Sequence, residues 1–180
     1  MATVAAGSSS RALVQRAAAE APELSFDLNY RATLWSPAEA RAFAEGVMAH
    51  ARYVFIGAEE ARTVFELHGT AEEVLGALAR RAPKATVALM QGAEGCTVLD
   101  GGRVLRPRRR WEVRVVDPIG AGDAYVGGFL WATLEGRSVE DAIDVGQAVA
   151  ALKCSTWGDI ALVSRRDVDD LLAGGPSVRR

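Results

Sequence analysis

Short apolar, β-branched runs alternate along this chain with segments that carry their own helix-start signals, and that alternation limits it to a small set of folds. Arg52–Ile56, Thr86–Met90 and Cys96–Leu99 each have the length and composition of a buried strand. Ser36-Pro37-Ala38-Glu39 and Thr70-Ala71-Glu72-Glu73 are capping boxes. In each, a hydroxyl can accept from the backbone three residues on while the glutamate reaches back. Pro37 also suits the first helical position, where no N–H is needed. These starts predict helices to about Ala49 and about Arg81. Further helices are expected over Arg11–Ala21, stopped by Pro22, over Ala58–Leu67 after Gly57, and from Ser138-Val139-Glu140-Asp141 to about Cys154. Ser164–Ala173 reads as a last short helix stopped by Gly174-Gly175-Pro176, with residues 1–7 and 174–180 as frayed ends. Asp100-Gly101-Gly102 predicts a hairpin into Arg103–Arg106. The whole predicts an α/β fold, a parallel-rich sheet with helices on both faces and one hairpin inserted late, in a single domain over 1–180.

Composition narrows the function classes. A chain of 180 residues is long enough for one sizeable core. A formal net charge of −2 gives no reason to expect nucleic acid or an anionic membrane as partner. The basic run Pro107-Arg108-Arg109-Arg110 has only Trp111 beside it, and reads as a solvated loop. No apolar run approaches the roughly 20 residues of a membrane span. Met1–Gly7 carries no charge before a short apolar stretch and does not read as a signal peptide, so a cytoplasmic protein is expected. Cys96 and Cys154 lack metal-site spacing and read as reduced thiols.

Two stretches carry chemistry. Leu24–Arg31 alternates like a strand and its exit, which sets Asp27, Asn29 and Arg31 on one side; they either line a pocket or end a strand in solvent. The second is Asp117-Pro118-Ile119-Gly120-Ala121-Gly122-Asp123, led in by the strand-like Val113–Val116 and followed by a helix to Gly136. A turn on small residues into a helix aims free backbone N–H groups at one point, where the helix dipole adds positive charge. Gly120, Ala121 and Gly122 would supply those N–H groups to an anion. Asp123 in the same turn would repel that anion unless it acts on something beside it, such as a hydroxyl being phosphorylated. The alternative is that Gly-Ala-Gly permits close strand–helix packing and Asp123 complements the helix dipole. The chain has no Gly-Lys pair for a P-loop, Tyr125 breaks the Rossmann fingerprint, and there is no G-x-S-x-G elbow. His50 and His68 have no nucleophile beside them in sequence.

Asp117–Tyr125 resembles the C-terminal signature of the ribokinase-like sugar kinases, the PfkB family. Phe26–Arg31 followed by Leu34-Trp35-Ser36 resembles the D-x-N-x-R segment of their 2-keto-3-deoxygluconate (KDG) kinase branch. Gly92-Ala93-Glu94-Gly95-Cys96 is similar to the family's G-x-x-G nucleotide loop, and Gly146–Ala151 with Gly158-Asp159-Ile160 to its closing helix and loop. The resemblance covers Ser8 to Leu172. It implies a ribokinase-like (Rossmann-like) fold, with ATP and Mg2+ and a monovalent cation such as K+. It implies Asp123 as catalytic base in contact with substrate, and an anion hole at Gly120, Ala121 and Gly122. Asn29, Gly92, Gly95, Gly120 and Gly122 are implied for ATP, and Arg31 for the sugar acid's carboxylate or a phosphate. Glu60 would act on Mg2+ indirectly, and Asp117 beside the monovalent-cation site.

Three departures bear on activity. The family's N-x-x-E motif has Gly57 where asparagine is usual, though Glu60 matches. Met90 stands where a lysine is common. Met1 falls inside the family's middle, so the N-terminal strands and lid that hold the sugar are expected to be missing. The expected function is phosphorylation of a sugar or sugar-acid hydroxyl, KDG to its 6-phosphate first, with fructose, ribose or another PfkB substrate as alternatives. The competing expectation is a non-catalytic nucleotide-binding or partner-binding remnant. A homo-oligomer or a complementing N-terminal half would cover the exposed edges.

Overall fold

The computed structural model describes residues 8–174. The expected frayed ends, apart from Gly174, lie outside them. The chain divides into two compact units, 1–105 and 106–180. In the first, α1 (Ser8–Glu20), β1 (Ser25–Asp27), α2 (Pro37–Met48), β2 (Tyr53–Gly57), α3 (Ala58–Phe65), α4 (Ala71–Ala79), β3 (Thr86–Met90), β4 (Cys96–Asp100) and β5 (Arg103–Leu105) follow in order. The strands lie in sequence order in one mixed sheet. β1 and β3 run parallel to β2, while β4 is antiparallel to both β3 and β5.

Register places the apolar residues. Phe26, Val54, Val87 and Leu99 are successive cross-strand partners. With Ile56 and Leu89 they face a cluster built from Phe43 and Val47 of α2, Val64 and Phe65 of α3, and Leu75 and Leu78 of α4. Phe55, Ala88 and Val98 alternate to the opposite face and are buried as well. Burial on both faces is why β2 and β3 read as unbroken apolar runs. Both predicted capping boxes form. Ser36 N donates to Glu39 Oε2 at 2.9 Å and Thr70 N to Glu73 Oε2 at 2.7 Å, while each hydroxyl accepts from the glutamate's own N–H at 3.3 Å.

The strand expected from Leu24 is shorter than its alternation suggests. Leu28 N still donates to Phe55 O at 3.1 Å, but Asn29 adopts φ +39 and turns the chain out of the ladder. Asparagine tolerates that conformation better than most residues.

The second unit holds α5 (Ala121–Leu134), α6 (Val139–Cys154) and α7 (Arg165–Leu172). Val113–Val116, read as a strand, is irregular. Its only backbone bond among the described residues runs from Val116 N to Cys154 O at 2.8 Å, and Val115 is 59% exposed. Period-two apolarity without a partner strand does not make a sheet. The basic run is also tied down at one residue. Arg108 donates to Asp144 through its backbone N (2.9 Å) and Nε (2.7 Å), and to Asp141 through a guanidinium nitrogen (2.5 Å). Asp144 is 3% exposed, so this partner is what makes its burial tolerable.

α5 and α6 pack at glycine distance. A Cβ at Gly146 would lie 2.9 Å from the Tyr125 carbonyl oxygen and 3.0 Å from its ring, and one at Gly128 would lie 3.1 Å from Gly146 Cα. Gly127, one residue away, has nothing within 4 Å of its Cβ position. Gly146→Ala is therefore expected to destabilise the protein by about 1–3 kcal/mol despite alanine's better helix propensity. Gly127→Ala should be neutral or stabilising by up to about 1 kcal/mol. Urea denaturation of the two variants checks the contrast.

Candidate active site

The turn entering α5 is held by its first residue. Asp117 Oδ1 accepts from Ile119 N at 3.0 Å, closing the turn on itself. Oδ2 accepts from Gly158 N at 3.1 Å, and the Asp117 carbonyl accepts from Lys153 Nζ at 2.8 Å. Val116 N and Asp117 N both donate to Cys154 O. One residue thus pins the turn to the end of α6 and to the loop beyond it. Gly120 follows with φ +80, and a Cβ there would sit inside contact distance of the Asp159 carbonyl oxygen. Both the left-handed backbone and the close approach demand glycine.

The residues expected to act on substrate lie immediately after. Ala121, Gly122 and Asp123 are the first three residues of α5, whose N–H groups have no acceptor within the helix. Ala121 N reaches back to Pro118 O at 3.2 Å, so of the cradle amides it is engaged within the turn itself. Gly122 and Asp123 are both exposed. An accessible carboxylate therefore stands one residue from an exposed helix-leading amide. The arrangement can accept a proton at Asp123 beside a site where negative charge is favoured.

In the first unit, Glu60 organises the segment after β1. Its Oε2 accepts from Gly57 N at 2.8 Å, capping α3, and its Oε1 accepts from Tyr30 N at 2.6 Å. Glu60 thereby anchors the backbone between Asn29 and Arg31. A Cβ at Gly57 would press on Glu60 Oε2 at 3.2 Å, so the glycine leaves the glutamate room to cap. Arg31 is exposed and Asn29 half-buried. Gly92 (φ +59) and Gly95 (φ +91) both take positive φ in the β3–β4 turn, closed by Gln91 N on Gly95 O at 2.8 Å. Among the described residues no group of three His, Cys, Asp or Glu side chains could hold a metal ion.

Sequence reading did not find Lys153, which is fully buried. A signal existed: it stands seven residues after Gly146, on the same stripe of α6. Asp159 was found only as part of a loop, because its contribution is a backbone carbonyl.

The chain matches the pfkB family of carbohydrate kinases over residues 1–165. It is 37% identical over 163 residues to a 2-dehydro-3-deoxygalactonokinase of Haloferax volcanii, covering 91% of this chain and 51% of that protein. Among solved structures it is similar to a 2-dehydro-3-deoxygluconokinase from Thermotoga maritima, with a TM-score of 0.79 at 22% identity over 89% of this chain and 53% of the other. An aminoimidazole riboside kinase from Salmonella enterica, complexed with aminoimidazole riboside and an ATP analog, gives 0.73 at 24% identity over 88% and 55%. The fold is ribokinase-like. The chain spans about half the length of the curated relatives it matches, 51% for the Haloferax protein. No helix among the described residues is long and apolar enough to cross a membrane.

Asp117 should make the turn's stability depend on pH. The Ile119 amide is the largest influence and lowers its carboxyl. Desolvation comes second and opposes it, and the Gly158 amide and Lys153 charge add to the lowering, so the carboxyl sits below its ordinary 3.8. A depressed pKa contributes stability above the ordinary value and loses it as pH falls through the folded one. Asp117→Asn offers one acceptor to two amides and should lower the thermal midpoint at neutral pH. The gap to wild type should hold from pH 7 to about 5 and narrow below about 4. Thermal scans across that range measure it.

Proposed function

We propose, for a chain that belongs to the pfkB family of carbohydrate kinases, that it transfers the γ-phosphoryl group of ATP, with Mg2+, to a hydroxyl of a keto-deoxy sugar acid, KDG to its 6-phosphate first. The observation that carries the reading is the exposed Asp123 carboxylate in the first turn of α5, beside the exposed Gly122 amide and behind a turn that only glycine at 120 permits. In this reading Asp123 takes the proton of the acceptor hydroxyl, the hydroxyl oxygen bonds to the γ-phosphorus, and the bond from that phosphorus to the β–γ bridging oxygen breaks to release ADP. The Gly120–Gly122 segment and the helix dipole offset the negative charge on the transferred group, with the Ala121 amide exchanging Pro118 for phosphate oxygen.

The substrate class draws on the relatives, whose names are those of 2-dehydro-3-deoxygalactonokinase, 2-dehydro-3-deoxygluconokinase and 5-dehydro-2-deoxygluconokinase. All name acidic or highly oxidised deoxy sugars, and exposed Arg31 suits a carboxylate. Asn29, Gly92 and Gly95 are assigned to nucleotide and Glu60 to the indirect support of Mg2+. An ATP-dependent reaction suits a cytoplasmic protein.

A second reading, nucleotide binding without turnover, draws on Glu60. Each of its oxygens already accepts a backbone amide, and Gly57 contributes no side chain beside it. Incubation of the full chain with ATP, Mg2+ and KDG, 2-keto-3-deoxygalactonate, fructose or ribose separates the two. Sugar-dependent ADP release, greatest with a keto-deoxy sugar acid and reduced about 10²–10⁴-fold in Asp123→Asn, is expected for the kinase. ATP heat in calorimetry with no ADP release under any sugar would replace it with the second reading.

A further inference from the structure

Lys153 and Asp144 are the charged side chains buried among the described residues, and they are buried on different terms. Asp144 has the Arg108 guanidinium. Lys153, at 0% exposure, is in ion-pair contact with no carboxylate among the described residues, and its Nζ donates to a neutral group, the Asp117 carbonyl, at 2.8 Å. A buried ammonium so partnered is costly unless the surroundings are negative in another way. Here the carbonyl it binds belongs to the residue that opens the anion-holding turn. The same residue's carboxylate, already engaged by Ile119 N and Gly158 N, contributes negative charge nearby. The ammonium carries three donors and no acceptor, and like a potassium ion it is satisfied by carbonyl oxygens.

We propose that Lys153 is the turn's resident cation: its ammonium occupies the Asp117 carbonyl in place of a bound monovalent cation, so that the turn is shaped and its anion site kept electropositive without potassium. Lys153 is a positioning residue in this account. It touches neither nucleotide nor acceptor, and acts through the backbone of Asp117 on Gly120–Gly122. The significance for phosphoryl transfer rests on the kinase reading above. The cation itself does not, because a tethered ammonium braces the turn whether or not ATP is turned over.

The test uses the full chain and needs no activity. Thermal midpoints of wild type and Lys153→Met are measured without nucleotide in KCl, NH4Cl and tetramethylammonium chloride at matched ionic strength. The wild type should be indifferent to the cation. The variant, with a neutral side chain of similar length, should be less stable in tetramethylammonium and recover in K+ or NH4+, which a purely steric loss would not do. A K+-specific rise in the wild type as large as the variant's overturns the proposal, as does a folded variant indifferent to all three salts. If the variant does not fold, the wild type decides by itself, since a tethered cation predicts indifference and a separate cation site predicts a K+-specific rise. Calorimetry with Mg-ATP adds the link to function. Wild-type affinity should be the same in K+ and tetramethylammonium, and the variant about tenfold weaker in tetramethylammonium only. Absence of ATP binding by wild type in every salt would sink the nucleotide reading while the midpoints still decide the role of Lys153.

Discussion

Asp117 is the residue on which the candidate site depends. Its carboxylate spans two backbone amides, Ile119 within the turn and Gly158 across the loop, and its carbonyl takes the ammonium of Lys153. These bonds draw the end of α6 and the entry to α5 together until the Asp159 carbonyl lies against Gly120. The glycine there is a consequence of that approach as much as of its φ of +80. A turn held this way is fixed in shape, and although Ala121 N is engaged by Pro118 O, Gly122 at the head of the helix stays exposed, which is the preorganisation that charge stabilisation requires.

Two aspartates six residues apart thus do opposite work. Asp117 accepts a backbone amide on each oxygen and its carboxyl is held below its ordinary range, so it stays ionised and structural. Asp123 is exposed at the head of a helix with its oxygens available. Glu60 resembles Asp117 rather than Asp123. Both its oxygens serve backbone amides, at Gly57 and Tyr30, and its first effect is to shape the chain between Asn29 and Arg31. A carboxylate in a motif is therefore not yet a ligand; what it already accepts decides how much it has left to give.

Where sequence reading succeeded, the signal was local. The capping boxes at Ser36 and Thr70 and the Asp100-Gly101-Gly102 hairpin form because residues a few positions apart satisfy one another, and β3 was legible because its own unbroken apolar run marks burial on both faces. Where it failed, the deciding partner was distant. Val113–Val116 has strand composition but no neighbouring strand, and its backbone instead reaches Cys154. The basic run is the exposed loop it reads as, but the tie of Arg108 to Asp144, 36 positions on, is invisible to local pattern. Asn29 ended β1 early through a backbone angle that no periodicity encodes.

By itself, the sequence determined the alternation of strands and capped helices, the glycine turn before α5, the acid within it and the family to which such a turn belongs. These rest on spacing and local chemistry, which the chain carries wherever it is placed. Only tertiary structure decided which groups that turn leans on. The burial of Lys153, the Asp159 carbonyl against Gly120 and the glycine contact between α5 and α6 each join residues that short-range pattern cannot pair. Their energies come from desolvation and close approach, and those exist only once the helices have met.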